Sequence, residues 1–76
     1  MASCYVLLNV NLGTEKTVLN QLRNTPDVKD CHQVYGVYDM IAELEAESMD
    51  ALKQTVTWKI RKIDGVRSTL TSIVIE

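Results

Sequence analysis

An α+β domain in the order β-α-β-β-α-β is what this sequence predicts, on three observations. Four segments read as strands by alternation and β-branched content. Two others place apolar residues at spacings of three and four, as helices do, and turn or capping residues stand at the boundaries. In this order the elements make the split βαβ, or ferredoxin-like, arrangement: a four-stranded antiparallel sheet with two helices on one face.

Ser3 to Asn11 forms the first strand, with Cys4, Val6, Leu8 and Val10 on one face and Tyr5 and Leu7 on the other. Gly13-Thr14-Glu15 ends it and starts a helix, Thr14 being a suitable N-cap and Glu15 favoured in the first turn. Val18, Leu19 and Leu22 make the apolar stripe of that helix. Asn24-Thr25-Pro26-Asp27 stops it, because the residue before proline is pushed out of helical geometry. Val28 to Tyr35 follows as a second strand, weaker in its first half, where Lys29, Asp30, His32 and Gln33 are polar. Gly36 then closes a tight turn into Asp39 to Ala46, a third strand in which Met40, Ala42 and Leu44 alternate with Ile41, Glu43 and Glu45. So short a connection makes an antiparallel hairpin. Ser48 caps the second helix, whose stripe of Met49, Leu52, Val56, Ile60 and Ile63 runs to a glycine stop at Asp64-Gly65. Trp58 falls opposite that stripe, on a face with Ala51, Thr55 and Lys62. Val66 to Ile75 is the last strand, with Val66, Leu70 and Val74 on one face and Thr69, Thr71, Ile73 and Ile75 on the other.

At 76 residues the chain reads as one domain, residues 1–76, and a domain of this size buries only roughly 60 % of its unfolded surface. Disulfides, a metal or association usually supplement so small a core. Cys4 and Cys31 read as small buried apolar groups rather than a bridge. Cys31 and His32 are adjacent, so a strand turns them to opposite faces and away from a shared ion. No metal and no other cofactor is expected. Association remains: the face without helices carries Tyr5, Leu7, Ile41, Ile73 and Ile75, and pairing such faces makes a homodimer. Each Leu or Ile buried there is worth about 1.5–3 kcal/mol. Trp58 is a further interface residue, since tryptophan is enriched where partners meet; the plainer reading is a ring folded over neighbouring aliphatic stems.

Eight Lys and Arg stand against ten Asp and Glu, a net charge of −2. The longest basic run, Lys59-Ile60-Arg61-Lys62, sits at a helix end where cations meet the negative pole of the dipole. Direct nucleic-acid binding, which needs a concentrated basic face, is not expected. Nor is a membrane span, which needs about twenty apolar residues. The cysteine usage and the lack of a leader-like apolar N-terminus give a cytoplasmic location as the expectation.

Little in the chain reads as catalytic. His32 has no partnered nucleophile, and Glu43, Glu45 and Glu47 at a spacing of two read as a solvated strand edge. Two glycine-marked polar segments are better placed for binding: Gly36-Val37-Tyr38-Asp39, and Gly65-Val66-Arg67-Ser68-Thr69-Leu70-Thr71 about thirty residues later. A free amino acid needs N–H and O–H donors for its carboxylate and acceptors for its ammonium. Backbone amides of Gly36, Val37 and Tyr38, the hydroxyls of Thr69, Thr71 and Ser72, and the carboxylate of Asp39 supply both kinds. The plainer alternative is that Asp39 satisfies turn amides and the threonines merely favour a strand.

The segment VYGVYDMIAELEAESMDALKQTVTWKIRKIDGVRSTLTSIV, Val34 to Val74, resembles the regulatory (RAM) domain of the Lrp/AsnC transcription regulators. The likeness lies in the glycine followed three residues later by aspartate, the helix beginning near Ser48, the Gly-Val before the last strand and the Thr-x-Thr within it. It implies a domain that dimerises through its sheets, assembles into rings of dimers and binds amino acids between them. By position, the effector turn is Gly36, Val37, Tyr38 and Asp39, joined by Thr69, Thr71 and Ser72. Regulators of this kind carry a helix-turn-helix before the domain, whereas here the first strand starts almost at Met1. The chain therefore resembles the stand-alone module, one that modulates transcription through full-length relatives as partners. Two other classes compete: a small dimeric ferredoxin-like enzyme, using His32 or Tyr35, and a purely structural assembly module.

Overall fold

The computed structural model describes residues 1–75. Its strands are β1 (Ala2–Val10), β2 (Val28–Gln33), β3 (Met40–Ala46) and β4 (Val66–Ile73), and its helices are α1 (Glu15–Arg23) and α2 (Met49–Thr55). The strands form one antiparallel sheet in the order β2-β3-β1-β4, with both helices on one face, as the sequence predicts. Cys4, Val6 and Leu8 of β1, Met40, Ala42 and Leu44 of β3, Val18 and Leu22 of α1, and Leu52 and Ile60 of the second helical segment are almost completely buried together. Both thiols are free and buried, as expected of small apolar groups.

Local chemistry departs from expectation at several boundaries. Thr14 occupies the N-cap position of α1 without capping it; its hydroxyl donates back to the Asn11 carbonyl, 2.6 Å away. Ser48 does cap α2, its Oγ accepting the Ala51 amide at 3.1 Å. The second helical segment is not one continuous α-helix. It passes at Val56 into a π-helical turn, Val56–Ile60, and the Arg61 amide donates five residues back to the Val56 carbonyl at 2.9 Å. The wider turn shifts the residues after it relative to those before it, and within α2 itself two residues differ from expectation. Met49, assigned to the apolar stripe, is exposed, whereas Thr55, assigned to the outer face with Trp58, is buried and donates its hydroxyl to Asp27 Oδ2 at 2.6 Å.

The connection between β2 and β3 is longer than a tight turn. β2 ends at Gln33 and β3 begins at Met40, leaving Val34 to Asp39 as a loop whose Tyr35 and Val37 side chains stand in the open. Gly36 has no positive φ, and a Cβ there would meet nothing within 4 Å. Gly65, by contrast, is conformationally required: its φ is +101°, and a Cβ would lie 2.8 Å from Thr14 Oγ1.

The largest correction concerns β4. Val10 pairs with Val66 while Asn9 pairs with Ser68, so Arg67 is an extra residue, a β-bulge opposite the end of β1. A bulge reverses the inward-outward alternation. Val66 packs on the core before it, and beyond it Thr69, Thr71 and Ile73 turn to the helix side, opposite Leu8, Val6 and Cys4. Ile73 is therefore not on the open face. That place is taken by Leu70, which pairs with Leu7, and the open face is crossed by the row His32, Ile41, Leu7, Leu70, flanked by Asp30, Glu43, Tyr5 and Ser72. Ile75 lies beyond the end of β4 and is 94 % exposed.

Candidate functional site

The bulge at Arg67 and the π-helical turn flank one groove. It runs along the helix side of β4, which is an edge strand. One half has a volume of about 510 Å³ and is walled by Arg61, Arg67, Ser68, Thr69 and Thr71 over a floor of Val56 and Val66. The other, of about 320 Å³, is more apolar, with Leu52, Val56 and Ile73 beside Thr57, Lys53 and Arg61. Val56, Arg61 and Thr71 border both halves, so the two adjoin. The combined space is of the size that small ligands occupy. Thr69 is half-buried and Thr71 exposed.

Two of the expected ligand residues thus share a concave site, and the others do not join them within one chain. Ser72 lies on the open face opposite Tyr5, pointing away from Thr69 and Thr71. Gly36, Val37, Tyr38 and Asp39 border neither half of the groove. The Asp39 amide donates to the Leu8 carbonyl at 2.9 Å, and its Oδ2 accepts the Val10 amide at 2.9 Å. Leu8 pairs with Thr69 on its other side, so β1 separates Asp39 from Thr69 by two strand spacings, roughly 10 Å. The Asp39 carboxylate satisfies the amide of Val10 at the end of β1, not an amide of its own turn.

Arg61 and Arg67 escaped the sequence reading. Arg61 belongs to a helix-end basic run, and Arg67 lies within the Gly65 to Thr71 segment without being one of its expected ligand residues; the π turn and the bulge bring both to the lining of one groove. The remaining candidates lie elsewhere. Trp58 is 63 % exposed on the π turn, with the Lys62 ammonium 5.7 Å from its ring centroid, a cation–π distance. His32 is exposed on β2, its Nε2 3.1 Å from Asp30 Oδ2. No group of three His, Cys, Asp or Glu side chains converges among the described residues, and no helix among them is long and apolar enough to cross a membrane. Burial pushes the Cys4 thiol pKa up; burial raises Cys31 too, with Arg23 partly offsetting it.

The family model for the Lrp/AsnC ligand binding domain matches residues 3–76. The crystal structure of FFRP-DM1 is 36 % identical with a TM-score of 0.94, over 99 % of this chain and 100 % of that one. A homocitrate synthase of Sulfurisphaera tokodaii is 37 % identical over 59 residues, 78 % of this chain and 13 % of the enzyme. An HTH-type transcriptional regulator of Pyrococcus abyssi is 27 % identical over 92 % of this chain and 44 % of the regulator. The chain thus spans less than half the length of these two curated relatives.

Proposed function

Because the chain belongs to the Lrp/AsnC ligand-binding-domain family, we propose that it is a regulatory module that binds a free amino acid or similar small effector, self-associates, and acts on transcription through DNA-binding relatives. The observation that carries the reading is the placement of Thr69 and Thr71 in a groove with cationic side chains, where a ligand carboxylate finds hydroxyl and guanidinium donors together. The relatives support it. A regulator and a synthase share this segment while differing elsewhere, which favours a role common to both, ligand recognition, over DNA reading or the synthase reaction. Both helices of the described residues are packed on the sheet, which favours DNA contact by a partner over contact by these helices. His32 is solvent-exposed, its Nε2 3.1 Å from Asp30 Oδ2, and it borders a small hollow of about 160 Å³ with Tyr5, Ile41 and Glu43 on the sheet face that self-association would cover, which favours a non-enzymatic role.

Self-association uses the open sheet face. Leu7 and Ile41 are half-buried already, and Tyr5 and Leu70 are 40 % and 48 % exposed, so a second sheet laid over them buries a continuous apolar patch. Higher assembly then brings Gly36 to Asp39 of one chain, with the exposed Tyr35 and Val37, and Trp58 against neighbouring dimers. Effector binding shifts that assembly to the extent that it prefers one state. The test is calorimetry against the common amino acids with the wild type and Thr71→Val. Binding that Thr71→Val weakens, with the dimer intact by light scattering, supports the reading. A silent panel with an intact oligomer leaves a purely structural assembly module in its place.

A further inference from the structure

We infer that the groove beside β4 is built for a ligand with two anionic groups, a dicarboxylate such as L-glutamate, in preference to an uncharged amino acid. The inference rests on the proposed effector site and names the class of effector it takes. Arg61, Arg67 and Lys53 border the groove, and among the described residues no aspartate or glutamate does. Among the described residues the ion pairs are Lys29–Glu45 and His32–Asp30, so none of the three cations is neutralised by a neighbouring carboxylate. A zwitterion with one carboxylate leaves most of this charge uncompensated; a second carboxylate meets it.

Two departures from regular structure deliver the arginines. Arg67 is the extra residue of the β4 bulge, and bulges re-aim side chains at the cost of a ladder position. Arg61 closes the π-helical turn through its amide bond to Val56, and π turns recur at functional sites. Both irregularities border one cavity. A guanidinium presents a fork of donors that matches a carboxylate, which a lysine does less well. Thr69 and Thr71 add hydroxyl donors, and Leu52, Val56 and Ile73 give the methylenes of a short dicarboxylate an apolar wall. An ammonium is served less fully. Its acceptors are the outward carbonyls of an edge strand, since the Asp39 carboxylate is already bonded to Val10.

The test is isothermal titration calorimetry of the full chain with L-glutamate, L-glutamine, L-leucine, 2-oxoglutarate and inorganic phosphate, at low and high salt. L-Glutamate and 2-oxoglutarate are expected to bind about tenfold or more tighter than L-glutamine, the gain of a charge-assisted bond, and to weaken with salt. Arg61→Met and Arg67→Met are each expected to remove the preference while keeping the wild-type melting temperature, since both side chains are exposed. If L-glutamine or L-leucine binds as tightly as L-glutamate, the dicarboxylate assignment is overturned and the amino-acid reading survives. If phosphate matches L-glutamate, the groove is an unselective anion site and the assignment is equally overturned. If nothing in the panel binds, the dicarboxylate assignment is overturned, and the amino-acid reading stands or falls with the calorimetry against all the common amino acids.

Discussion

Replacing Asp39 separates what its carboxylate does for the fold from what it does for a ligand. Its Oδ2 accepts the amide of Val10, a residue only 4 % exposed, at 2.9 Å. Asp39→Ala removes that acceptor and leaves a nearly buried N–H unpaired, at a cost of about 2–3 kcal/mol for a charge-assisted bond. A domain of this length has only roughly 4–11 kcal/mol of stability, and each kcal/mol lost lowers the midpoint by about 4–8 °C. Asp39→Asn keeps an oxygen at the same place and loses only the charge assistance, about 1 kcal/mol. Urea unfolding at fixed protein concentration, followed by circular dichroism, should therefore rank wild type above Asn above Ala. The Asn variant, still folded, then reports on ligand binding without a collapsing fold to confuse it. If Asp39→Ala unfolds within about 0.5 kcal/mol of wild type, the Val10 bond is not what the carboxylate is for.

Three further outcomes are expected. Gly65→Ala should destabilise by about 2–4 kcal/mol, combining a φ of +101° with a Cβ 2.8 Å from Thr14 Oγ1, whereas Gly36→Ala, with open space and no positive φ, should change stability by less than about 1 kcal/mol; equal effects in chemical denaturation would contradict the assignment of Gly65 as the required glycine. Leu7→Lys, at the centre of the open face between Ile41 and Leu70, should weaken the dimer about a hundredfold or more in sedimentation, by removing a buried leucine and desolvating an ammonium, and an unchanged dimer would move the interface elsewhere. Cys4 and Cys31, buried and with raised pKa, should resist iodoacetamide until urea unfolds the chain. Because their folded pKa lies above the unfolded one, the stability they contribute is intact below the ordinary thiol value, near 8.5, and is lost as pH rises through the higher folded value. A melting temperature that climbs across that alkaline range would reverse the sign.

The central strands were legible because their patterns had one solution. Cys4, Val6, Leu8 and Val10 outnumber Tyr5 and Leu7 on the opposite face, and Met40, Ala42 and Leu44 stand against Ile41 among Glu43 and Glu45, so a half-buried strand has one register that best hides them. Thr69 and Thr71 were legible as polar groups in a strand, but not as neighbours of Arg61 and Arg67. Those arginines sit on a π turn and a bulge, and neither irregularity has a residue signature as plain as a glycine stop.

The sequence by itself therefore determined the order of elements, the antiparallel sheet, its buried face in β1 and β3 and the cap at Ser48, all of which follow from local periodicity and short-range hydrogen bonding. Only the tertiary structure decided the faces of β4. Its two apolar sets, Val66 with Leu70 and Val74 against Ile73 with Ile75, fit either parity equally well. Pairing with β1 resolves them through one extra residue, Arg67, because the chain must bury Val66 where it leaves Gly65 and Ile73 beside Cys4. That single offset turns two threonines from the open sheet face into a groove and sets an arginine beside them.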